Sequence, residues 1–134
     1  MTFKSRHISV TINRPADQVY EFASKLENLP TWAAGLSGSI INVNGDWIAE
    51  APMGKIKVKF AGKNTFGILD HDVTLPSGEK VSNPMRVFPN NDGSELIFTL
   101  YQRSDLSDQM FAEDAEAVTR DLEKLKTLLE HSRP

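Results

Sequence analysis

A chain of 134 residues, 40% hydrophobic and 25% charged, has the composition of an ordinary globular protein and the length of one domain, here residues 1–134. Its net charge of −3 argues against a nucleic-acid binder that works by neutralising phosphates, and no apolar run is long enough for membrane insertion. Zero cysteines exclude disulfides, thiolate metal sites and cysteine nucleophiles, and residues 1–7 lack a signal-peptide core, so a cytoplasmic protein is expected.

The first element is a strand, because Arg6-His7-Ile8-Ser9-Val10-Thr11-Ile12-Asn13 alternates apolar with polar residues until Pro15. From there the pattern turns helical, and two short helices are expected between Ala16 and Leu29, with Pro30-Thr31-Trp32 following. Turn signals then recur at Asn44-Gly45, Pro52-Met53-Gly54, Gly62-Lys63-Asn64, Pro76-Ser77-Gly78 and Asn90-Asn91-Asp92-Gly93. Gly and Asn tolerate positive φ and Pro presets a turn, so each bends the chain for a mechanical reason. The segments between them are too short for helices and too evenly spaced for βαβ units. Six further strands in an antiparallel meander are expected.

Parity fixes the facing of these strands. In Lys55-Ile56-Lys57-Val58-Lys59-Phe60 the even positions are apolar and must face the core. A turn at Pro52-Met53 sets Glu50 opposite Lys55 outside, with Trp47 and Ala49 inward beside Val58 and Ile56. A two-residue turn at Lys63-Asn64 would set Lys57 opposite Asp70 and Lys55 opposite Asp72, in a strand running over 66–75. Across the hairpin at 76–78, Val73 meets Val81, His71 meets Asn83 and Leu69 meets Met85, all inward. Pro84 marks an edge or a bulge in its strand.

The last element is a long helix opening near Ser107, a good N-cap, with a stripe at Phe111, Ala115, Val118, Leu122, Leu125 and Leu129. Steps alternating between four and three make one continuous apolar face, which suits packing on the sheet.

The inner face carries few polar groups. His71 falls there among Ile56, Leu69, Val73 and Met85, either as a core histidine satisfied by Asn83 or a backbone carbonyl, or as a ligand contact and proton-transfer group. Asn42 and Asn83 share the same face, as do Trp47, Phe60 and Phe98, so a mostly apolar chamber with a few polar anchors is expected. Asp70 and Asp72 flank His71 in sequence but point to the opposite face of a strand, which removes them from its site. No spaced partners of His7 or His131 suggest a metal site, no phosphate or dinucleotide fingerprint occurs, and no cofactor is expected.

The strand and helical pattern of residues 6–32, the stretch Asn64-Thr-Phe-Gly-Ile-Leu-Asp-His-Asp-Val73, Pro84-Met-Arg-Val87 and the helix from Asp114 to Leu129 resemble the SRPBCC (START/pollen-allergen-like) superfamily, in particular its bacterial polyketide cyclase/dehydrase-like members. The resemblance implies an α+β helix-grip fold, with a curved seven-stranded antiparallel sheet around the C-terminal helix. It also implies a cavity between them, with Trp32 near its mouth. The expected function is binding of a small hydrophobic or aromatic ligand, with His71 and Asn83 orienting its polar end and Trp32, Asn42, Trp47, Phe60, Met85 and Phe98 around it. The resemblance also allows a cyclase/dehydratase-type enzyme with His71 as general acid or base, and a co-chaperone-like interaction module.

Overall fold

Alternating patterns, turn residues and one amphipathic stripe build the architecture in the computed structural model, which describes residues 1–33 and 39–132. Strand β1 (Ser5–Ile12) leads into α1 (Ala16–Ala23), a single 3-10 turn (Leu26–Asn28) and α2 (Leu29–Trp32). Strands β2 (Ile40–Val43), β3 (Asp46–Ala51), β4 (Gly54–Phe60), β5 (His71–Thr74), β6 (Lys80–Asn83), β7 (Met85–Asn90) and β8 (Gly93–Tyr101) follow. Helix α3 (Asp108–Glu130) closes the chain. All the strand pairs are antiparallel, in the orders β1-β8-β7 and β2-β3-β4-β5-β6.

Among the described residues, eight strands in two sheets replace the expected seven in one. The reason is Pro84, which has no N–H to give to a ladder. It divides one expected strand into β6, which pairs with β5, and β7, which pairs with β8. The halves stay in touch across this seam, where Thr99 N donates to Pro84 O at 2.9 Å. Arg86 points outward and is exposed.

The expected hairpin at Lys63-Asn64 is also replaced. Residues 61–70 form a broad connection organised by the Asn64 side chain, whose Oδ1 accepts from the N–H groups of Phe66 and Ile68 at 3.0 Å each. Its Nδ2 donates to the carbonyls of Gly62 and Ile68, also at 3.0 Å. Beyond it the chain runs along β7, with Val87 N donating to Gly67 O at 3.0 Å and Leu69 N to Met85 O at 2.8 Å. Gly67 has φ +74°, and a Cβ there would lie 2.1 Å from the Val87 carbonyl oxygen, so the approach requires glycine. The expected 66–75 strand is thus two pieces, 67–69 beside β7 and β5 beside β4. Lys57 meets Thr74 and Lys59 meets Asp72, a shift of the expected register by an even number of residues, so every side chain keeps its face. Asp70 pairs with Arg86 at 2.9 Å instead of a β4 lysine, and Asp72 accepts from Ser82 Oγ at 2.7 Å.

The other registers agree with parity. Trp47 meets Val58, Ala49 meets Ile56, Glu50 meets Lys55, Val73 meets Val81 and His71 meets Asn83. In α3 the Ser107 Oγ accepts from Met110 N at 3.1 Å, capping a helix whose Phe111, Ala115, Leu122, Leu125 and Leu129 are buried. Its far end is tied to the corner after β1. Asn13 N donates to Glu130 Oε2 at 2.7 Å, Arg14 Nη2 to the carbonyls of Glu130 and Ser132 at 2.8 and 3.1 Å, and Lys126 Nζ to Thr11 O at 2.5 Å. Among the described residues no helix is long and apolar enough to cross a membrane.

Candidate functional site

The inward faces of β4, β5, β6 and β8 form one wall of a cavity of about 310 Å³. Period-two alternation brings Ile56 and Val58, His71 and Val73, Val81 and Asn83, and Phe98 and Leu100 to that wall. Helix α3 supplies the opposite side with Asp114, Ala117, Val118 and Asp121. These positions are spaced i, i+3, i+4, i+7, a face beside the core stripe, and Val118 belongs to both. Ala117 is the reason space remains there, since a methyl group cannot reach the sheet. The end is closed by Leu29, Trp32 and Ala33 from α2 and its exit, and by Met53 and Leu75 from the turns of the two hairpins.

His71 is the polar centre of the wall. Its Nδ1 lies 3.0 Å from the Leu69 carbonyl oxygen. A carbonyl only accepts, so Nδ1 carries the proton and Nε2 keeps a lone pair. The ring stacks on Phe60 at 4.8 Å between centroids and tilts against Phe98 at 5.8 Å. Burial pushes its pKa below the usual imidazole value, against the smaller upward pulls of the Leu69 bond and of Asp70 and Asp72. A neutral imidazole held by a backbone carbonyl therefore faces the chamber at neutral pH. Asn83 stands opposite it in the ladder and also lines the cavity.

Of the other expected residues, Trp32 and Phe98 line the cavity, and Phe60 backs the histidine ring. The Trp32 indole N–H is closed off from solvent with no hydrogen-bond partner among the described residues. Met85 is fully buried in the core. Trp47 is half-buried opposite Val58, outside the lining. Asn42 is a correction: it is exposed, and its Oδ1 accepts from Gly45 N at 2.9 Å, because the Asn44-Gly45 turn claims the side chain two residues before it.

Three charged lining residues escaped the sequence reading. Arg103 follows β8 in a segment with no periodic pattern, and its Nη1 lies 3.2 Å from Glu79 Oε1 and 3.8 Å from Asp105 Oδ2. Asp114 and Asp121 stand off the apolar stripe of α3, yet their spacing from Val118 was a usable signal. Partial burial pushes the Asp114 carboxyl up, Arg103 pulls it down, and Glu113 adds to the rise.

On the outer face, the Arg86 guanidinium donates to both oxygens of Asp70 at 3.2 and 2.9 Å and holds its carboxyl below the usual range, aided by Met85 N at 2.8 Å. Lys126 does the same for Glu130, helped by Asn13 N. These directions set a pH profile. As pH falls below 6.5, the unfolded chain protonates its histidine at 71 while the folded chain resists, so stability drops. Asp70 and Glu130 contribute stability above their usual values of 3.8 and 4.5, and it is lost as pH falls through their lower folded values. Urea midpoints measured against pH should thus fall in two stages. In His71→Phe the upper stage should shrink and the lower one remain, and an unchanged upper stage would assign it to another group.

The family described as "Polyketide cyclase / dehydrase and lipid transport" matches residues 6–130. No curated protein matches in sequence. Among solved structures, an uncharacterized Bacillus thuringiensis protein superposes with TM-score 0.73 at 14% identity, over 93% of this chain and 98% of its own. Ara h 8.0201 gives TM-score 0.70 at 15% identity, over 96% and 99%. A Deinococcus radiodurans protein gives 0.65 at 22% identity, over 95% and 98%. These similarities show the helix-grip fold.

Proposed function

The chain belongs to the polyketide cyclase / dehydrase and lipid transport family, and we propose that it binds a small hydrophobic or aromatic molecule in the cavity between its sheet and α3. The observation that carries this reading is the cavity itself. Its volume of about 310 Å³ is at the lower end of small-molecule sites, which run to ~300–1,000 Å³. Its sheet wall is apolar apart from His71 and Asn83, the usual make-up of a site that takes its affinity from burial and its orientation from a few polar groups. His71 offers Nε2 as an acceptor to a hydroxyl or amine on the ligand.

One observation also favours catalysis within the same family. A neutral imidazole with Nδ1–H anchored on a carbonyl and a free lone pair at Nε2 is the resting form of a general base. Binding is the primary reading, because no second residue among the described ones is hydrogen-bonded to His71 as a proton relay.

A panel of hydrophobic alcohols, phenols and their deoxy counterparts tests both. Ligands of the cavity should raise the melting temperature through mass action. His71→Phe keeps the stack on Phe60 but deletes the acceptor. It should weaken the hydroxylated members about tenfold and leave the deoxy members unchanged, the loss expected for one hydrogen bond to a buried polar group. Equal affinities in wild type and variant would remove His71 from the site, and no thermal shift by any member would argue against the cavity as a binding site.

A further inference from the structure

We propose that the cavity selects its ligands by charge, taking hydrophobic amines over uncharged analogues and rejecting hydrophobic acids, with Asp114 as the residue that sets the preference. This rests on the reading that the cavity binds a hydrophobic ligand, and it specifies which kind.

The charged lining residues gather along α3 and the segment after β8, while the sheet wall is uncharged at neutral pH. Asp114 and Asp121 are seven residues apart on one helix face, on either side of Ala117 and Val118, so both carboxylates border the same stretch of cavity. Among the described lining residues the cation is Arg103, and it is already engaged by Glu79 at 3.2 Å and Asp105 at 3.8 Å. Two lining carboxylates therefore share the cavity with one guanidinium that Glu79 and Asp105 already hold. Lys80 does not redress this, since its register position opposite Thr74 belongs to the outer face of the sheet.

A ligand carboxylate entering here would have to displace the partners of Arg103 and then sit beside Asp114 and Asp121, a like-charge arrangement that disfavours the complex. An ammonium meets the opposite field. Asp114 is the group it would engage. The residue is exposed at the rim, lines the cavity and accepts no hydrogen bond among the described residues. Partial desolvation of its carboxylate is relieved by a cation, which adds a direction to the preference. Asp114 feels Arg103 through its charge alone, without a hydrogen bond, whereas Asp121 has an interaction of its own. The ligand class is thus an apolar, preferably planar body small enough for the chamber, with a basic nitrogen at the α3 side.

The test uses three compounds with one body: 1-naphthylmethylamine, 1-naphthylmethanol and 1-naphthoate, titrated into the full chain at pH 7 and low salt. The amine should bind about tenfold more tightly than the alcohol, and the acid should bind most weakly. In Asp114→Asn the amine should fall to the affinity of the alcohol, and the alcohol should be unchanged. High salt should narrow the gap in wild type. An acid that binds as well as the alcohol, or an Asp114→Asn variant that weakens amine and alcohol alike, would overturn the charge selection while leaving the cavity reading in place. If none of the three binds, the cavity reading falls and the selection falls with it.

Discussion

Truncating Leu122 to alanine is expected to lower the free energy of unfolding by ~2–5 kcal/mol, as for a core leucine that leaves a void behind it. Leu122 is 1% exposed and lies in the middle of the α3 stripe, between Ala115 and Leu125. The helix is long and its neighbours Leu125 and Leu129 are themselves fixed against the sheet, so the site has little freedom to collapse. Denaturant midpoints of wild type and variant provide the measurement. A midpoint within error of wild type would mean that α3 does not carry the core as described.

The second large effect concerns function. Ala117→Phe places a benzyl group on the α3 face that borders the cavity. Adding bulk to a packed core costs ~1–3 kcal/mol, because side chains must leave their rotamers. Here the ring has about 310 Å³ of open space to enter, and it buries its own surface against apolar walls. Stability is therefore expected to stay within about 1 kcal/mol of wild type, while hydrophobic ligands lose about a hundredfold in affinity because the ring occupies their volume. Calorimetric titration and urea unfolding on one sample read both quantities. Retained affinity in a folded variant would locate the ligand elsewhere.

Much of this arrangement was legible in the chain because a strand has period two. Once Ile56 and Val58 are read as inward, His71, Val73, Val81 and Asn83 follow by pairing alone. The inference survived even where the β4–β5 register was wrong, because a shift by an even number of residues moves partners and preserves faces. The length of the 61–70 connection was not legible. It depends on one amide side chain, Asn64, bonding to four backbone groups, and no local propensity distinguishes that from a tight turn. Pro84 did signal an interruption, but whether a proline bends a strand or divides a sheet depends on what neighbouring strands can still pair.

The candidate site divided in the same way. His71, Asn83, Trp32 and Phe98 were readable as lining residues because sheet parity or the resemblance placed them. Asn42 shared their parity, yet a side chain next to an Asn-Gly turn is claimed locally. The charged rim was missed because an apolar stripe gives the centre of a helix face and not its tilt. Which flank turns toward the cavity, and so whether Asp114 or the residues on the other side line it, follows from how the whole helix lies on the sheet.

The ties at the C-terminal end of α3 make that helix a lever with a fixed pivot. Bonds that join Thr11, Asn13 and Arg14 to Lys126 and Glu130 hold its C-terminal end, whereas Asp114 and Val118, the residues over the cavity, lie in its first half. At ~1.5 Å of rise per residue, Asp114 is about 24 Å from the pivot, so a tilt of about 5° carries it roughly 2 Å outward. An outward tilt about that pivot would widen the chamber and leave the bonds at the anchored end in place. Its cost would be the packing of Phe111 and Ala115, which are buried in the first half of the helix, and the bond from Gln102 to Asp108.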